Sequence, residues 1–114
     1  MKDADALAYC GYLAFRCPSL REFFRKHFAD CNGEFYPHLW MSEVATYLTG
    51  TGVPTGEASE ILNALEEGME SGDPSVDEII FVSFIECLEP ISGRVLVAPY
   101  KTLRENFDMV FGNI

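Results

Sequence analysis

Between His27 and Gly93 the sequence contains no lysine and no arginine, although acids recur from Asp30 to Glu89. The eight Lys and Arg lie in the two ends of the chain, against 18 Asp and Glu overall, for a formal net charge of -10. That shortage of positive charge excludes the basic footprint that a direct nucleic-acid or anionic-membrane partner requires. Long apolar runs are missing too: nothing approaches the roughly 18 to 20 residues of a membrane-spanning helix. The start, MKDADALAYC, carries two acids where a signal peptide carries positive charge. A soluble, cytoplasmic chain is expected.

Chemical motifs are equally scarce. Cys10, Cys17, Cys31 and Cys87 form no C-x-x-C pair, and so apolar a chain needs no disulfide framework, so free and mostly buried thiols are expected. No E-x-x-H or H-E-x-x-H is present to organise a carboxylate-bridged or hydrolytic metal centre. His27, Cys31 and His38 are close in sequence but lack paired-ligand spacing, and they read as a helix-end histidine and a buried cysteine. From Asp73 the chain runs DPSVDEIIFVSF, with Pro, Val and Ile where a calcium loop needs oxygens or glycine. Neither a nucleophile elbow nor a Gly-rich oxyanion turn accompanies Cys31 or Cys87 with His38. No catalytic residue, no metal ligand and no cofactor is therefore assigned, and enzyme activity is not expected.

What the sequence does have is apolar bulk. Its 114 residues are 48% hydrophobic, with nine Phe, five Tyr and one Trp, enough for a single domain spanning 1–114 with a real core. Punctuation divides it into about five to six helices. Asp3 can cap a first helix that ends before Cys17-Pro18, with Leu7, Cys10, Leu13 and Ala14 at apolar spacing. Ser19 and Glu22 form a capping box for a second, ended by DCNG. A third follows Pro37 to Leu48, with Leu39, Trp40, Val44, Tyr47 and Leu48 as its stripe. A fourth runs from Thr55 to about Ser71, with Ala58, Ile61, Leu62, Leu65 and Met69 inward and Gly72 as its stop. Asp73-Pro74 opens a fifth to Leu88. Its apolar run IIFVSFI is compatible with a buried strand, but its length and flanking caps favour a helix. GRVLVAP can supply one extended stretch, and Tyr100 to Phe111 closes the chain as a helix. The expected fold is an all-α bundle, with room for one short hairpin near 91–98.

The acids of LEEGMESGDPSVDEII divide by their place on these helices. Asp73, Asp77 and Glu78 fall in the first turns of the fifth helix, where the dipole and free N–H groups favour negative charge. Glu66, Glu67 and Glu70 fall in the last turns of the fourth, where each acid costs a few tenths of a kcal/mol and the Glu66/Glu70 pair adds repulsion. With Glu57 and Glu60 they make one helix face a negative strip, which steers a basic partner. A merely solvated face of an acidic protein is the competing reading. Phe35, Tyr36 and Trp40 crowd one turn; Trp40 and Phe35 read as core, and Tyr36, beside Pro37, as the exposed aromatic anchor.

Two segments, GEFYPHLWMSEVATYL and ILNALEEGMESGDPSVDEIIFVSFIECLEP, carry the words PHL-[FW]-M, LEE, SGD and VSF-[IL]-E in that order. From Gly33 to Glu89 the chain thereby resembles small bacterial domains of uncharacterised or immunity type. In size, acidity and helical build it is also similar to the immunity proteins of contact-dependent growth inhibition and related toxin systems. The resemblance implies binding to a cognate toxin, often a basic nuclease, and inhibition by occlusion of its active site; it transfers no individual residue. The candidate partner-binding residues are Glu57, Glu60, Glu66, Glu67, Glu70, Asp73 and Tyr36, in a monomer that touches neither nucleic acid nor membrane. The alternative is a structural or regulatory subunit that acts through homo-oligomerisation or other protein–protein binding, by way of an aromatic patch.

Overall fold

Pro18, Pro37, Pro74 and Pro90 each stand in the first turn of a helix. There the missing N–H costs nothing, because the first turn has no intrahelical acceptor for it, and the fixed φ is already helical. A computed structural model of the chain describes residues 2–112, with side chains from 5 to 112. It contains seven α-helices and, among the described residues, no strand: α1 Lys2–Arg16, α2 Pro18–Asp30, α3 Pro37–Thr49, α4 Thr55–Glu70, α5 Pro74–Glu78, α6 Pro90–Val97 and α7 Lys101–Phe111. The cap expected at Asp3 lies outside the described side chains.

α5 continues without a break into a π-helical segment, Ile79–Phe84, and a 3₁₀ turn, Ile85–Cys87. This is the segment whose apolar run left strand and helix open, and it is helical. In the wider π turn the N–H of residue i+5 meets the carbonyl of residue i, as Ile85 does with Ile80. Ile79, Ile80, Phe84 and Ile85 are thereby all fully buried while Val82 faces out. The segment lies at the centre of one apolar cluster, with Trp40, Met41 and Val44 from α3, Leu13 from α1, Ile61 and Leu65 from α4, and Leu103 and Phe107 from α7. A Cα radius of gyration of 13.2 Å matches the value of about 13 Å for a compact domain near this length.

The structure corrects several expectations. The hairpin near 91–98 does not form: Glu89 accepts from the Ser92 N–H and caps α6, with Pro90 in its first turn. That extra helix raises the count to seven. Its Gly93 is needed, because a Cβ there would sit 2.9 Å from Leu88 Cβ and 3.0 Å from the Phe107 ring. No capping box forms at Ser19 either. Cys17 is the N-cap and Pro18 begins α2, so Ser19 is already inside the helix, and Glu22 pairs instead with Arg25 at 3.1 Å. Leu7 and Leu39 are exposed; α3 buries Trp40, Met41, Val44, Ala45 and Leu48. All four cysteines are free, with Cys10 and Cys17 buried, Cys31 half-buried and Cys87 exposed.

Candidate protein-binding surface

α4 buries Ile61, Leu62, Ala64, Leu65 and Met69. With about 3.6 residues per turn, that leaves Glu60, Glu67 and Glu70 on one outward strip, with Glu57 and Glu66 on opposite flanks. Glu57 lies in the first turn, where the dipole favours it, and accepts from the Tyr47 hydroxyl at 3.4 Å. Glu60 and Glu70 are exposed and have no basic partner among the described residues.

The two acids between them have partners that spacing alone does not reveal. Glu66 accepts from the N–H groups of Thr102 and Leu103 at 2.8 and 2.9 Å. Tyr100, the N-cap of α7, offers no side-chain cap, so a carboxylate from the last turns of α4 satisfies the first turn of α7. Glu66 is unfavourable for its own helix dipole but lies on the positive end of another. Glu67 accepts from both Arg16 Nη atoms, at 2.9 and 2.7 Å, and Arg16 Nη1 also donates to the Tyr12 hydroxyl at 3.2 Å. The two Arg16 hydrogen bonds hold the Glu67 carboxyl below the usual carboxylate range. Tertiary contacts, rather than a partner, thus offset the local cost of these two acids. Asp73 accepts from Ser75 and Val76 N–H at 2.9 and 3.3 Å and is the N-cap of α5.

Next to the strip is a cleft of about 450 Å³ between α1, α4 and α5, lined by Tyr9, Tyr12, Arg16, Gly68 and Asp73 among others. Tyr9 approaches α4 so closely that a Cβ on Gly68 would meet its hydroxyl at 2.3 Å. That hydroxyl donates to the Ala64 carbonyl at 3.5 Å, and burial pushes its ionisation well above the usual phenol range. The cleft escaped sequence reading because its tyrosines are on a helix far from α4 in the chain; only the GME step, a glycine inside a helix, signalled a close approach.

Tyr36 is the N-cap of α3. It is 47% exposed, and its hydroxyl donates to the Glu34 carboxylate, a bond that raises the phenol pKa. Its N–H donates to Nε2 of the buried His27 at 3.0 Å, which puts the imidazole proton on Nδ1, 2.8 Å from Glu43. Cys31 Sγ lies 3.7 Å from that same Nε2, but the lone pair is already used, so His27 cannot act as base toward it. His38, the other candidate base, meets Ser83 instead. Trp40 is fully buried and Phe35 stacks on Phe24, with centroids 4.4 Å apart. No hydrogen bond or ring contact links Tyr36 to α4 among the described residues. α1 touches both regions: Tyr9 reaches Ala64, and Cys10 Sγ lies 4.0 Å from the Pro37 carbonyl.

The structure therefore groups Glu60, Glu67 and Glu70 and sets Tyr36 apart from them. Among the described residues no cluster of three metal-ligating side chains occurs, and no helix is long and apolar enough to cross a membrane. A family model described as a domain of unknown function, DUF7674, matches residues 10–108. The chain belongs to that family. No curated protein and no solved structure matches it. DUF7674 as described names no activity, and the matched span takes in every candidate residue from Tyr36 to Asp73.

Proposed function

We propose that this chain is a binding protein of immunity type, which inhibits a cognate basic toxin, a nuclease, by covering its active site with the acidic surface of α4. One observation carries the reading: the described bases are largely used inside the molecule. Arg16, Arg25, Lys26 and Arg94 pair with carboxylates, while Arg21 and Arg104 donate to backbone carbonyls. Glu60 and Glu70 have no basic partner among the described residues. Such a surface steers a basic partner, and its carboxylates stand where substrate phosphates would. Glu57, Glu66, Glu67 and Asp73 frame this surface, and Glu66, Glu67 and Asp73 act mainly by holding its shape, while Tyr36 is a separate candidate contact away from α4.

The test is capture from source cells at low and high salt, followed by a nuclease assay on the captured protein. A basic nuclease that one equivalent of this chain silences, and that a Glu60→Lys/Glu70→Lys variant no longer silences, is the expected result. A captured protein indifferent to both reversals overturns the reading.

Self-association is the second reading, and one observation favours it. Ile91 and Val95, one turn apart on α6, are 80% and 75% exposed, an apolar pair rather than the aromatic patch expected from sequence. Sedimentation at two salt concentrations separates the readings: a dimer insensitive to salt and lost in Val95→Lys supports self-association, and a monomer excludes it.

A further inference from the structure

A groove of about 580 Å³ runs between the end of α4, the α5–π segment and α7. Met69, Phe81, Val82, Asn106 and Met109 line it, together with Asp77. Val82 and Met109 are 45% and 75% exposed, so the groove presents apolar surface to solvent, two of its side chains being the adaptable thioethers that suit a binding face. Its wall is the π-helical turn, a backbone form found often at functional sites because it re-aims side chains that an α-helix would direct elsewhere.

Among the described residues that line the groove, the charge has one sign. Asp77 and Glu78 line it, and among the described residues no Lys or Arg does. Asp77 Oδ1 is buried without a hydrogen-bond partner among the described residues. That oxygen is closed to solvent, so what a Lys or Arg of a partner complements is the negative charge that the Asp77 and Glu78 carboxylates give the groove wall.

We infer that this groove is the anchor site for an amphipathic helix of a basic protein partner, whose apolar face packs on Met69, Val82 and Met109 while a Lys or Arg meets the charge of Asp77 and Glu78. The occupant is a helix because the walls are helices and, among the described residues, no sheet edge is available for an added strand. The inference deepens the proposed function: the α4 strip steers the basic partner, and the groove holds it.

The probe is a synthetic peptide of about 18 residues, long enough to hold a helix in water, with leucines at i, i+3, i+4 and i+7 spacing and flanking lysines. Methionine-methyl NMR reads the site directly. The Met69 and Met109 signals should shift on titration while Met41, fully buried in α3, stays still. The same peptide with glutamates for lysines should bind at least about tenfold more weakly, and Asp77→Asn should weaken the lysine peptide about threefold and reduce its salt dependence, as loss of a charge at an interface rim does. Val82→Lys, at an exposed position, should abolish the shifts without touching the fold and serves if Asp77→Asn does not fold. Unmoved Met69 and Met109 signals, equal binding of the two peptides, or full binding by Val82→Lys would each overturn the groove. Methyl shifts of the expected pattern in a chain that fails to silence any captured nuclease would leave the groove standing and remove the toxin reading.

Discussion

Glu66 and Leu103 join the fourth helix to the last: the Glu66 carboxylate accepts the Leu103 N–H at 2.9 Å and the adjoining Thr102 N–H at 2.8 Å. A cap supplied from another helix fixes position as well as stability. Glu66→Ala is expected to cost about 0.5–2 kcal/mol, the range for loss of a helix N-cap, and Glu66→Gln less, since the amide oxygen still accepts. Urea unfolding of the three proteins checks the order; an Ala variant as stable as the parent would remove the cap from the account.

Glu67 supplies a pH dependence. Hydrogen bonds from Arg16 lower its folded pKa below the ordinary value of 4.5, so the folded state binds the proton less readily than the unfolded one. The resulting stabilisation is present above that ordinary value and disappears as pH falls through the folded one. Thermal melts of the parent and Glu67→Gln should differ at neutral pH and converge in strong acid. The difference should also shrink with added salt, because the pair is exposed.

Gly68 and Tyr9 are matched in size. A Cβ at Gly68 falls 2.3 Å from the Tyr9 hydroxyl and 3.1 Å from Ile80 Cδ1, so Gly68→Ala should cost about 1–3 kcal/mol through overpacking, despite the better helix propensity of alanine. Tyr9→Phe removes the nearest atom. The double variant should therefore be more stable than the sum of the single effects, which a double-mutant cycle measures.

The thiols should fall into two classes. Burial pushes Cys10 up to about 12 and Cys17 up to about 11, whereas Cys87 is exposed. Because the thiolate is the reacting form, a maleimide reagent at neutral pH should label Cys87 in the native state and reach Cys10 and Cys17 only on unfolding. Mass spectrometry of labelled peptides reads the outcome.

The helices were legible because their punctuation is physical: Pro18, Pro37 and Pro74 open helices, Gly72 stops one at a φ of 77°, and the Ile61, Leu62, Leu65, Met69 stripe faces the core as its spacing requires. α6 was missed because VLV has strand character, and a local cap at Glu89 outweighed it. The acids were misjudged for a different reason. Helix-dipole and i,i+4 rules treat a helix alone, and the partners of Glu66 and Glu67 lie on α7 and α1, which no spacing within α4 can disclose. The groove was illegible for the same reason: Met69, Val82 and Met109 come from three separate elements.

Glu66, Glu67 and Gly68 are consecutive, and each engages a different part of the chain: the first turn of α7, the last turn of α1, and the Tyr9 ring midway along α1. Unwinding that single turn would release both ends of the chain at once. Amide protons near Arg16 and near Leu103, remote in sequence, would then exchange with solvent through one shared opening and with one free energy, as members of a single cooperative unit.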